Sequence, residues 1–268
     1  MRAAFAFAVL PLMLGCKEAI VAPTELNELS RFLFLEWDNE DPAVMTAGVT
    51  AFDTWAAGVE TSPDASLEDR FYTITALTRP DVEGLVNHDL DPAAAPAVAV
   101  ITTSAFAVAD HAGLFSLADQ TPLEPSSPDK YDREITEGDA ACFAERGEGC
   151  ETLASTNDIN RKNLLVDVDY ILTKVWRWVD LEDGRQAIAT RAYTPDEGTS
   201  EDPEKYIKQV YTVELWIPTA TGTGTTRWLV TWQEAELGLD EDTVESLVAS
   251  SMDDSYKAVE DYLSEGGQ

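Results

Sequence analysis

The sequence predicts an α+β protein in which N-terminal helices precede an antiparallel sheet and a long helix closes the chain. Three observations predict this. Between Leu164 and Ala235 lie four long runs rich in β-branched and aromatic residues, joined by turn signals such as Glu182-Asp183-Gly184. After Gly238, apolar residues recur at helical spacing to the end of the chain. Between residues 24 and 58, two stretches show the same helical spacing, broken at Asp38-Asn39-Glu40-Asp41-Pro42.

In order, residues 16–24 read as a short tether. The first helix is expected from Thr24, a candidate cap, to Trp37, with Leu26, Leu29, Phe32 and Leu33 on its apolar face. Pro42 suits the first turn of a second helix running from Ala43 to Gly58. Residues 61–68 read as a loop and Phe71 to Leu77 as a strand, ended by Arg79-Pro80. The Pro/Ala-rich segment Asp91 to Pro96 suggests a boundary between a 25–96 segment and a 97–268 domain. Ala97 to Thr103 alternates and is β-branched, hence a strand, and Ala107 to Ala118 reads as a short helix. Thr121 to Asp132 holds three prolines and reads as a loop. Residues 138–163 are polar, hold two cysteines, and read as an insertion or long hairpin. Strands then follow at Leu164–Leu181, Arg185–Tyr193, Tyr206–Ile217 and Thr225–Ala235. Asp240 is a good N-cap for the last helix, whose stripe is Val244, Leu247, Val248, Met252, Tyr256, Val259 and Leu263.

Fifty acidic residues oppose 18 basic ones, a net charge of −32. Such a surface repels phosphate backbones and anionic headgroups, which argues against a nucleic-acid role. The acids are spread along the chain and form no single tail, and the field suits saline surroundings.

The N-terminus carries a motif. Arg2 is followed by an apolar run from Ala3 to Leu14, too short to span a bilayer. Leu12-Met13-Leu14-Gly15-Cys16 resembles the lipobox of bacterial lipoproteins. That resemblance implies a signal peptide over 1–15, acylation of Cys16, and anchoring in the cell envelope, with Lys17 favouring the outer over the inner membrane. The alternative is an ordinary secretory signal with Cys16 incidental. With lipid on Cys16, Cys142 and Cys150 remain, flanking a polar loop with two glycines. In an oxidising compartment they read as a local disulfide, the alternatives being free thiols or, less suited by spacing, a metal site.

From residue 97 onward, the order of strand, short helix, meander and long helix resembles the START-like (SRPBCC, helix-grip) fold. The resemblance is carried by AVAVITTSAFAVADHAGLFSLADQ near its start and TRWLVTWQEAELGLDEDTVESLVASSMDDSYKAVEDYLSEG at its end. It implies a curved antiparallel sheet gripping the C-terminal helix, with an apolar cavity between them. The candidate ligand-binding residues are then Trp176, Trp178, Tyr193, Tyr211, Trp216, Trp228 and Trp232, although strand alternation forbids all seven from facing inward. The alternative is that they are packing residues. His88 and His111 each adjoin an aspartate, but adjacency does not make a catalytic pair, and no phosphate loop, nucleophile elbow or HExxH motif occurs. No cofactor, metal or catalytic residue is expected. The sequence therefore points to an envelope lipoprotein that binds an apolar small molecule or lipid. The competing reading is a structural lipoprotein that docks an envelope partner without a ligand.

Overall fold

The computed structural model describes residues 20–124, 129–162, 167–202 and 205–266; Cys16 and the signal segment lie outside them. One eight-stranded antiparallel sheet organises the chain, in the order β1-β2-β8-β7-β6-β5-β4-β3. Its strands are β1 (Phe71–Ile74), β2 (Ala97–Ser104), β3 (Lys130–Glu137), β4 (Thr152–Lys162), β5 (Asp167–Asp180), β6 (Gln186–Tyr193), β7 (Tyr206–Pro218) and β8 (Thr225–Glu236). The helices are α1 (Leu26–Leu35), α2 (Pro42–Ala56), α3 (Leu67–Arg70), α4 (Val108–Phe115), α5 (Ala140–Ala144) and α6 (Glu241–Ser264). The expected fold class is therefore the observed one: N-terminal helices, a curved antiparallel sheet and a long C-terminal helix.

Alternation along the strands gives the sheet two different faces. On one face, Ala97, Ala99, Ile101, Ala187, Ala189, Tyr211, Val213, Leu215, Trp228, Val230 and Trp232 are buried beneath α1 and α2. Those helices contribute Leu29, Leu33, Phe34, Met45, Val49 and Phe52 to the same core. Each such side chain, fully buried, contributes roughly 1.5–3 kcal/mol from removal of apolar surface from water. On the other face, Val98 and Val100 of β2 meet Ala249, Met252 and Tyr256 of α6. Trp176, Ile188 and Trp216 meet Phe115 of α4 and Phe143 of α5. The described residues thus form one core on the first face of the sheet and two smaller ones on the second.

Local chemistry explains the ends of the elements. The Asp41 carboxylate accepts from the Ala43 N–H at 3.2 Å, and Pro42 fills the first helical position of α2. Asp240 accepts from the Thr243 N–H at 3.0 Å and starts α6 where expected. The α1 cap differs from expectation: Glu25 occupies it with no side-chain cap bond, so Thr24 does not play that role. The β1 strand stops at Ile74, earlier than expected. The span read as a loop ends sooner, because Lys130 already begins β3. That strand is hard to see in the sequence because it is the sheet edge: Lys130, Asp132, Glu134 and Glu137 stud it, and charge on an edge strand discourages pairing with other chains. Within the segment read as an insertion or long hairpin, residues 138–162 form most of a hairpin, with α5 and the cysteine loop at its tip and β4 as its return.

Candidate functional site

The site is built where α6 and α4 cross the second face. A cavity of about 200 Å³ lies there. Its apolar lining includes Leu114 and Phe115 from α4, Leu172 from β5, Trp216 from β7, Leu229 from β8 and Val259 from α6. Period-two alternation explains the sheet's share. Thr212, Glu214 and Trp216 share one face of β7, and Leu172, Lys174 and Trp176 share one face of β5. A wider cleft of about 580 Å³ at the β1 end of the sheet, bordered by Thr73, Gln233 and Leu239, stands more open to solvent and encloses a ligand less well.

The seven expected aromatics divide between the two faces. Trp216 lines the cavity, with the Phe115 ring edge-on at 4.6 Å. Trp176 is on the same face but is covered by the stacked Phe115 ring at 5.9 Å and the Arg133 guanidinium at 5.0 Å. Trp178 is capped by the cysteine loop: its indole N–H donates to the Phe143 carbonyl at 3.0 Å, and Arg146 lies 5.2 Å over its ring. Cys142 and Cys150 form a disulfide with an S–S distance of 2.06 Å at the base of that loop. Tyr193, Tyr211, Trp228 and Trp232 do not line the cavity. They face α1 and α2, where Phe34 meets Trp232 at 5.7 Å, Phe52 meets Trp228 at 4.6 Å and Arg191 overlies Tyr193 at 5.8 Å. The reason is phase: they stand out of step with Trp216 across the paired strands.

What the aromatic reading missed is the polar side of the cavity. Lys174, Glu214, Arg227 and His111 all line it, with Glu124 and Tyr131 at its β3 side. Lys174 and Glu214 each precede by two residues an aromatic of the same face, so period-two counting from Trp176 and Trp216 identifies them. Arg227 is almost fully buried. It donates to Glu260 at 3.1 Å and to the Tyr256 carbonyl at 3.3 Å, and its guanidinium lies 4.1 Å over the Tyr256 ring. Burial, with a smaller push from Arg227, drives the His111 imidazole down to about 2, so it is neutral and shares a 3.0 Å hydrogen bond with the Ser104 hydroxyl. Burial raises the Glu214 carboxyl to about 7, against the opposing pull of Lys174 and Arg227. The Trp216 indole N–H and the Arg227 Nε–H have no hydrogen-bond partner among the described residues.

No family model matches the chain, and no curated protein matches it. Several solved structures are similar in shape. A STAR-related lipid transfer protein from Xanthomonas axonopodis superposes with a TM-score of 0.45 and 13% identity, covering 72% of this chain and 92% of its own. A protein from Thermus thermophilus gives 0.40 and 17% identity, covering 65% and 100%. Human StAR-related lipid transfer protein 5 gives 0.40 and 10% identity, covering 65% and 77%.

Proposed function

We propose that this chain is a ligand-binding lipoprotein: Cys16 carries the membrane anchor, and the cavity between α6 and the sheet holds a small amphiphilic molecule. The observation that supports binding is the cavity itself, bordered by α4, α6 and five strands and lined by Leu114, Phe115, Leu172, Trp216 and Val259. A concave apolar site with a few convergent polar groups is what small-molecule recognition requires. At about 200 Å³ it lies below the roughly 300–1,000 Å³ of sites for drug-sized ligands, which favours a short-chain or single-ring compound over an intact phospholipid. Support for the anchor is the apolar run to Leu14 followed by Gly15-Cys16.

The test uses full-length protein expressed in a Gram-negative host and extracted from its membranes. Mass spectrometry is expected to find acyl chains on a mature N-terminal Cys16, and native mass spectrometry a small molecule released on unfolding. An intact N-terminus or an unmodified Cys16 would remove the anchor. Absence of any co-purifying ligand, together with no quenching of Trp fluorescence by short-chain amphiphiles, would remove the carrier reading.

A further inference from the structure

Three donor-bearing side chains, Lys174, Trp216 and Arg227, stand on the cavity wall beside the Glu214 carboxyl and the unpartnered His111 Nδ1. Lys174 reaches over the Trp176 ring at 5.3 Å, and its ammonium forms no ion pair among the described residues. The Trp216 Nε1–H and Arg227 Nε–H, on residues 3% and 2% exposed, lack partners among the described residues. Trp216 and Arg227 are directly opposed across the β7–β8 ladder, which puts those two donor-bearing side chains side by side at one end. Lys174 approaches from β5 across Ala192, the residue opposite it on β6, whose small side chain leaves the space over the floor open. The other carboxylate lining the cavity, Glu124, is already paired with Arg161. A ligand carboxylate is an acceptor only, with about four lone-pair sites, and so matches a donor-rich wall that a hydroxyl or ester would satisfy only in part.

We infer that the cavity selects a small carboxylate-bearing amphiphile, its anionic end held by Lys174, Trp216 and Arg227 and its apolar end against Leu114, Phe115 and Val259. This rests on the cavity reading above and narrows it to a ligand class. It also implies a proton linkage. Glu214 shares the cavity wall with His111 from α4, Glu124 just after the short turn at Thr121–Leu123, Tyr131 from β3, Lys174 from β5, Arg227 from β8 and Tyr256 from α6. An incoming carboxylate adds a negative charge beside Glu214, which favours the protonated side chain, so binding takes up a proton near neutral pH.

The experiment compares octanoate with octan-1-ol by calorimetry at pH 6 and pH 8.5, where octanoate is ionised throughout. Octanoate is expected to bind about tenfold more tightly than the alcohol at pH 6, the equivalent of one good charge-assisted hydrogen bond. That advantage should shrink several-fold at pH 8.5 as Glu214 ionises. Lys174→Met should erase the preference for the carboxylate, with an unchanged far-UV circular dichroism spectrum and a cooperative melt showing that the variant is folded. Lys174→Arg should retain most of the preference, and Glu214→Gln should flatten the pH dependence. Equal binding of the two probes by the unaltered protein, or a preference that survives Lys174→Met, would overturn the inference while leaving the cavity reading intact. Failure of both probes to bind would overturn both.

Discussion

Arg70 ends α3 with its side chain 2% exposed, and a guanidinium so placed must be met from every side. It donates to Asp253 of α6 at 3.0 Å, to the Ile101 carbonyl of β2 at 3.4 Å and to the Ala65 carbonyl at 3.4 Å. Lys257 reaches the second Asp253 oxygen at 2.8 Å. Burial works against ionisation of Asp253, but hydrogen bonds from Lys257 and Arg70 outweigh it and hold the carboxyl below its usual range. A carboxyl lowered in the folded state stabilises above its unfolded value of about 3.9 and loses that contribution as pH falls through the folded value. Acid should therefore loosen α6. Removing one partner of a buried ion pair costs roughly 3–5 kcal/mol, and Arg70→Met should sit at the low end because Lys257 still pairs with Asp253. Urea unfolding at pH 7 and pH 2.5 would show it. The variant is expected to be less stable at pH 7 and less sensitive to acid. A loss under about 1 kcal/mol would mean that apolar contacts of Met252 and Tyr256 hold α6 unaided.

At the scale of elements, the cysteine loop shows how a polar insertion serves packing. Its disulfide joins residues eight apart and folds α5 back so that Phe143, fully buried, meets the Trp178 ring at 5.8 Å. Closing so short a loop removes roughly 2–3 kcal/mol of unfolded-chain entropy. Because the loop packs against α4 and against Trp178 and Asp180 at one end of β5, its release should be local. Cys142→Ser with Cys150→Ser is expected to raise hydrogen exchange across residues 139–151 and lower the unfolding free energy by that amount. The β2 and α6 amides should stay protected. Loss of protection across the whole sheet would sink the idea. The same loop illustrates what is legible beforehand. The strands of the meander and α6 follow from period and turn chemistry, because each has one apolar face and Gly184 takes the positive φ that its turn demands. The placement of Trp178 does not follow, because its cover comes from a segment far along the chain. Trp228 and Trp232 pose the same problem. Both are aromatics on a strand, but only the register against β7 and the presence of α1 and α2 decide which side they face. The polar wall of Lys174, Glu214 and Arg227 is accessible in principle. Nothing in a chain so rich in charge distinguishes a cavity lysine from a surface one until its strand phase is fixed.

The whole molecule carries a charge that its own ion pairs do not relieve. Arg70, Arg191 and Arg227 are buried and paired, and Arg31, Arg146, Arg161, Arg185 and Lys208 are likewise bound to carboxylates. With 18 bases in total against 50 acids, the remaining carboxylates face mainly one another and solvent. Two electrostatic effects of salt then compete. Screening weakens the surface pairs, each worth at most about 1 kcal/mol, and it also weakens the self-repulsion of the net −32 charge. The Debye length falls from about 10 Å at 0.1 M to about 3 Å at 1 M, less than the spacing of most surface charges. Buried pairs such as Arg70–Asp253 are screened far less, so the term that salt removes most completely is the repulsion. The melting temperature is therefore expected to rise by several degrees between 20 mM and 1 M NaCl, where about 1 kcal/mol corresponds to roughly 2–4 °C for a domain of this size. Chloride is the proper choice, because sulfate would also strengthen apolar burial and confuse the cause. A melting temperature that falls with NaCl would show that surface pairing outweighs self-repulsion. The acidic excess would then have to be explained by a binding surface for a cationic partner.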